Sequence, residues 1–192
     1  MQRENGIVIG VVIDLADPLR LGRVRVRLPH LGDEPSDWAR IATPMGGKER
    51  GLFMRPEVGD EVLVAFEHGD PRRPTVIGAF WSTADPPPPD DGKAGDNNWR
   101  FFRSRSGHLL KFDDTGGGER IEIVGKGGQQ RIVIDVSGKH IEISCDSGDL
   151  ALKAPAGSVS VDAREVKLHA SGTMSIEAGG AMTIKGATVA IN

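Results

Sequence analysis

The 192-residue sequence has no tyrosine, one cysteine and only 5% aromatic residues. Without a second thiol an intrachain disulfide is excluded, and lone Cys145 suits synthesis in a reducing compartment. Long hydrophobic runs are missing too. The longest, Ile7 to Ile13 and broken by Gly10, falls far short of the ~20 residues that a membrane-spanning helix needs. It also lacks the length and cleavage site of a signal peptide, so cytoplasmic synthesis without an export signal is expected. A formal net charge of -3 shows no basic excess, so no nucleic-acid partner is expected. What the chain does hold is 26 glycines and 12 prolines in an otherwise globular composition, the signature of a loop-rich β protein.

Residues 6–82 read as five short strands separated by turns. Gly6 to Asp14 is β-branched and almost wholly apolar, the pattern of a strand buried on both faces. Arg23 to Leu28 alternates strictly, sending Val24, Val26 and Leu28 inward and Arg23, Arg25 and Arg27 outward. Trp38 to Ala42 is a weaker third strand, and Glu61 to Glu67 and Pro74 to Trp81 supply two more. Five such strands with no helical pattern predict a small closed barrel, of which the OB-fold is the commonest. Trp38 and Trp81, at strand ends, are expected to close its core. Residues 83–98 contain Asp85-Pro-Pro-Pro-Pro-Asp-Asp-Gly92, a semi-rigid extended spacer and domain boundary.

Beyond residue 120 a repeat takes over. Apolar pairs of the form φ-x-φ fall at Ile121/Ile123, Ile132/Ile134, Ile141/Ile143, Leu150/Leu152 and Val159/Val161. They continue at Val166/Leu168, Met174/Ile176, Met182/Ile184 and Val189/Ile191, with a period of about eight residues. Each unit is one short strand and one Gly, Ser or Ala turn. A ribbon of such strands would have one wet face and two open edges, and open edges must be covered or closed. The units are too short for a single-chain β-helix, so the apolar pairs require several copies of the chain arranged around a shared axis.

Several stretches together carry a family resemblance. Gly22-Arg-Val-Arg-Val-Arg-Leu-Pro29, Trp38-Ala-Arg-Ile-Ala-Thr-Pro44 and Pro56-Glu-Val-Gly-Asp-Glu-Val-Leu-Val-Ala-Phe66 resemble the OB domain of phage baseplate assembly protein V and VgrG-type spikes. So does Gly69-Asp-Pro-Arg-Arg-Pro74 followed by Val76-Ile-Gly-Ala-Phe-Trp81. Ser104-Arg-Ser-Gly-His-Leu-Leu-Lys-Phe-Asp-Asp114 resembles the neck that leads into the spike's β-helix. The resemblance implies an all-β homotrimer: N-terminal arm 1–5, OB barrel 6–82, linker 83–98, neck 99–119, and an intertwined triangular β-helix over 120–192. It also implies a non-enzymatic spike of a contractile tail or injection machine, assembled into a baseplate under a trimeric hub and driven through a target membrane. About nine rungs at ~4.8 Å give a needle of roughly 40 Å, longer than the ~30 Å bilayer core. No lysozyme-like insert separates barrel from neck, and no hub domain precedes Gly6, so the hub is expected to be a separate protein. The end lacks the family's His-x-His iron element, which points to a PAAR-type tip protein seated on Val189, Ile191 and Asn192. Arg23, Arg25 and Arg27 are the expected hub contact.

The five histidines (His30, His68, His108, His140 and His169) have no metal-ligand spacing, so neither cofactor nor metal is expected. Asp90-Asp91 and Asp113-Asp114 abut turns and, on a strand, neighbouring side chains point to opposite faces. Thr115-Gly-Gly-Gly118 lacks the Lys-Ser/Thr ending of a phosphate loop. The alternative to a spike is an OB module that binds nucleic acid or another ligand, with an oligomerising tail. It would use the arginine stripe, yet no stacking aromatic is adjacent to that stripe in sequence. Trp99 and Phe101-Phe102 are expected where the chains converge.

Overall fold

In the first strand, β1 (Ile7–Asp14), every second side chain turns to a common interior, and that alternation organises the N-terminal half. The structure, a computed structural model, describes residues 6–93 and 95–190. The N-terminal arm 1–5 and the terminal pair Ile191 and Asn192 lie outside the described residues. β1 pairs antiparallel with β2 (Arg25–Arg27) on one side and with β6 (Glu61–Phe66) on the other. β6 pairs antiparallel with β7 (Pro74–Ala79), and β7 runs parallel to β3 (Arg40–Ile41). Reciprocal bonds between Val24 and Ala39, at 3.0 and 2.8 Å, join β2 to the approach to β3 and close the circle. Five antiparallel-to-mixed strands closed in this order form the OB-type barrel that the alternation predicts.

Its core is aliphatic: Val12, Val24, Val26, Leu28, Ala39, Val62, Val64, Phe66 and Val76. Gly10 is required where β1 meets β2, because a Cβ there would sit 3.1 Å from Leu28 Cδ2 and 3.2 Å from the Arg27 carbonyl. Two expectations are corrected. β1 is covered on one face only, leaving Ile7 and Ile9 about half exposed at 57% and 49%. Trp81 does not close the core. The last β7 ladder bond is from the Phe80 amide to the Glu61 carbonyl, after which the chain leaves the barrel and Trp81 is 70% exposed. An unpredicted ribbon, β4 (Gly46–Gly47) with β5 (Arg50–Gly51), stands out from the barrel between β3 and β6.

The second sheet is a five-stranded antiparallel meander in the order β12-β11-β10-β9-β8. Its members are β8 (Trp99–Arg103), β9 (Leu109–Asp113), β10 (Arg120–Val124), β11 (Gln130–Asp135) and β12 (His140–Cys145). An ion pair of 3.0 Å from Arg105, in the β8–β9 turn, to Glu57 ties it to the barrel's β5–β6 loop. Residues 149–190 form no strand or helix and are exposed throughout. Apart from the short 3-10 turns Pro29–Leu31 and Glu67–Gly69, no helix is present among the described residues. None is long and apolar enough to cross a membrane.

Candidate interaction surfaces

The meander separates its side chains into two chemically opposite faces. Successive strand residues alternate, and the register aligns like with like across the ladder. Phe102, Leu110, Ile123, Ile132 and Ile143 form one cross-strand row. Phe112, Ile121, Ile134 and Ile141 form a second beside it. All but the half-buried Ile121 are exposed. Six of the φ-x-φ residues picked out in sequence therefore share one apolar face with three aromatic or leucine side chains of β8 and β9. By the same alternation Cys145 belongs to this face, its Sγ donating to the Ser147 carbonyl at 3.2 Å.

The other face is charged. Lys111 and Asp113 are buried at 6% and 4% exposure. Lys111 Nζ lies 2.6 Å from Glu122 and 3.6 Å from Asp113, and Arg120 reaches both carboxylates at 3.4 and 3.6 Å. Trp99 closes this cluster, its ring 4.1 Å beneath the Lys111 ammonium. Trp99 thus packs on the charged face, and only Phe102 of the expected aromatic group joins the apolar rows. Asp113 also accepts the amide and hydroxyl of Thr115. Burial pushes its carboxyl up, but the Thr115 bonds with Lys111 and Arg120 outweigh that and hold it below the ordinary range. Asp114 points the other way and pairs with Arg100.

The remaining axial candidates lie in the segment without strands. Leu150, Leu152, Val159, Val161, Val166, Leu168, Met174, Ile176, Met182, Ile184 and Val189 are each exposed. The whole chain exposes 15325 Å², against about 8,900 Å² for a compact monomer of its mass. That excess includes the exposed apolar side chains of the meander face and of residues 149–190.

On the barrel, the arginine stripe is engaged within the chain. Arg23 is held by Asp17 at 2.7 Å, Arg25 donates to the Ser36 carbonyl at 3.0 Å, and Arg27 pairs with Asp33 at 3.2 Å. Trp38, distant in sequence, sits 5.9 and 6.0 Å from the Arg23 and Arg25 guanidinium groups. Sequence spacing could not show this, because a 15-residue excursion brings the ring back. Asp17 is the organiser: it accepts the amides of Leu19, Leu21 and Arg23 besides the Arg23 side chain. That guanidinium, aided by the three amides and opposed by burial, holds its carboxyl well below the usual range. Arg72 likewise lowers Asp70 to about 2.

These depressed values link barrel stability to pH. A carboxylate with a lowered folded pKa stabilises above its unfolded value of about 4 and loses that contribution as pH falls through the folded value. The melting temperature should therefore fall as pH is lowered from 5 to 2. Asp17→Asn should melt lower at pH 7 yet show a shallower decline in acid. Thermal melts followed by tryptophan fluorescence check this; equal acid slopes in both proteins would refute the role of Asp17.

Among the described residues no group of His, Cys, Asp or Glu side chains could hold a metal ion. Asp90 and Asp91 accept amides two residues ahead, from Gly92 and Lys93, as turn formers.

Residues 8–81 match the model of the type VI secretion system/phage-baseplate injector OB domain. The type VI secretion system spike protein VgrG5 of Pseudomonas aeruginosa is 31% identical over 121 residues, 59% of this chain and 14% of that protein. Spike protein VgrG3 of Vibrio cholerae is 30% identical over 108 residues, 52% of this chain and 11% of its own length. Spike protein VgrG4b of Pseudomonas aeruginosa is 42% identical over 74 residues, 36% of this chain and 9% of its own. The chain thus spans about a seventh or less of each of these relatives.

Proposed function

We propose that this chain, which belongs through residues 8–81 to the type VI secretion system/phage-baseplate injector OB-domain family, is the structural spike of a contractile injection machine. The observation that carries this reading is the apolar face of the meander. Nine side chains stand in two straight rows with nothing over them, and the same φ-x-φ spacing continues through the uncovered segment to Val189. Three copies with these rows turned to a common axis would cover them, pair the open edges of β8 and β12, and give residues 149–190 neighbours on which to form strands. The charged face would then point to solvent. The outcome is a homotrimeric prism, stiff along its axis and narrow across it.

In such a machine the barrel end attaches to a trimeric hub and the prism end leads through the target membrane, with a PAAR-type protein on the tip face at Val189. Neither task calls for bond chemistry, so the role is mechanical. The half-exposed Ile7 and Ile9 on the outer face of β1 offer the hub an apolar contact that the ion-paired Arg23 does not. Absolute mass by light scattering tests the reading. Full-length protein should give about 61 kDa, three times the 20.5 kDa of one chain, while a fragment ending at Asn98 should be monomeric. A monomeric full chain would sink it.

One observation favours a second reading, an OB module for nucleic acid: Trp38 beside Arg23 and Arg25. That ring is only half exposed, however, and the Arg23 guanidinium is already occupied by Asp17.

A further inference from the structure

A cleft of about 1270 Å³ runs along the barrel between the β4–β5 ribbon and the mouth of β7. Its lining is unlike the rest of this weakly acidic chain. Arg20, Arg40, Arg50, Arg72 and Arg73 line it, with Glu49 and Glu67 as its carboxylates. Arg40 and Arg73 share Glu67, at 3.3 and 3.1 Å, so one carboxylate answers two guanidinium groups, while Arg72 is paired with Asp70 at 2.8 Å and Arg23, also in the lining, with Asp17 at 2.7 Å. Among the described residues no carboxylate lies within ion-pair distance of Arg20 or Arg50. Arg55, also in the lining, donates from Nη2 to the Leu15 carbonyl, while its buried Nε finds no acceptor among the described residues.

The same cleft is apolar in its other part. Leu21, Leu52, Phe53 and Met54 line it, and each is exposed, Phe53 to 76%. The Phe53 ring is seated on Gly22, where φ is +74° and a Cβ would come within 2.9 Å of the ring. Gly22 therefore provides the seat, and the ring is held out rather than folded into the core. The ribbon behind it is fixed by the Leu52 amide on the Met45 carbonyl at 2.9 Å and the Thr43 hydroxyl on the Leu52 carbonyl at 2.6 Å.

We propose that this cleft docks an extended protein segment in which acidic and apolar side chains alternate. Such a segment presents carboxylates to one side and aliphatic groups to the other. The lining carries both kinds of partner for it, guanidinium groups and exposed Leu, Phe and Met side chains. Surplus guanidinium groups favour carboxylates through paired, directional hydrogen bonds, and exposed Leu, Phe and Met side chains gain by being covered. A single nucleic-acid strand fits less well. Its phosphates would meet Glu49 and Glu67, and of the two aromatic faces in the lining Trp38 is already covered in part by the Arg23 and Arg25 guanidinium groups, which leaves Phe53 as the one open stacking face. The cleft lies within residues 20–74, so the proposal stands apart from the oligomeric state.

The test uses the full chain and a fluorescein-labelled peptide, Glu-Leu-Asp-Val-Glu-Leu-Asp-Val, in fluorescence anisotropy at low salt. Saturable binding is expected, weakened at least about tenfold by Arg50→Glu/Arg72→Glu and several-fold by Phe53→Ser, and unchanged by Arg100→Glu outside the cleft. Arg50 and Arg72 are both exposed, so the fold should persist; the milder Arg50→Ala/Arg72→Ala pair should lose affinity in the same direction. Replacing the peptide's acids by lysine should abolish binding. No saturable binding, binding indifferent to the cleft substitutions, or tighter binding of a twelve-residue oligothymidylate would each overturn the proposal. A trimer that fails to bind the peptide would remove the docking site and leave the spike reading standing.

Discussion

If the chain assembles as proposed, Ile143→Asp should turn the trimer of about 61 kDa into a 20.5 kDa monomer. Ile143 ends the apolar row that runs through Ile132, Ile123 and Leu110, and it is 55% exposed in one chain. Covering the remaining surface of each such side chain is worth about 1 kcal/mol, so nine of them supply roughly 9 kcal/mol per chain before ordering costs. In the proposed trimer a carboxylate at this position would be repeated three times around a dry axis. Each unpaired charge costs several kcal/mol, and three of one sign raise one another's cost further. The comparison that isolates the face is Ser144→Asp, one residue along the same strand. Ser144 pairs with Arg131 on the charged side, so that substitution should leave the mass unchanged. Lowering the pH should restore part of the trimer in the Ile143 variant, because protonation removes the charge. Light scattering reads all three, and a soluble trimer of Ile143→Asp at neutral pH would refute the axial assignment.

Much of the barrel was legible in the sequence because alternation is a local signal. Arg23 to Leu28 sent Val24, Val26 and Leu28 inward, and all three are buried. All five strand positions agree to within two residues at each end. The β4–β5 ribbon was not legible, since two residues per strand, three of them glycine, carry no hydrophobic period. Nor was the fate of Trp81, because a strand's departure from a barrel depends on where its partner's carbonyls end. The arginine stripe was read correctly as outward, yet its partners Asp17 and Asp33 stand six residues away through turns, a distance at which sequence gives no geometry. The charged face of the meander also leaves a signal in the sequence. Lys111, Asp113, Arg120 and Glu122 occupy the alternate positions to Leu110, Phe112, Ile121 and Ile123.

That polar half sets which way the sheet turns. Lys111 is the hub of the cluster: its side chain is 8% exposed and serves Glu122, Asp113 and the Trp99 ring together. Lys111→Ala should cost about 3–5 kcal/mol in urea unfolding of the full chain, because it strands Glu122 beside a buried carboxylate with one cation fewer. The paired replacement Lys111→Met/Glu122→Leu should recover most of that loss, since Asp113 keeps Thr115 and Arg120. Recovery by an apolar pair would show that the ion pair contributes little net stability of its own. Its contribution is then directional. With the pair present, turning that face to the proposed axis would strip the remaining water from Arg120, 45% exposed, and from Glu122 in every copy, which favours the apolar rows as the inward face. The apolar pair should therefore fold as stably yet assemble less uniquely, seen as mixed masses in light scattering. A single Lys111→Ala within about 1 kcal/mol of the parent would mean that water already screens the cluster, and the facing rule would rest on the apolar rows alone.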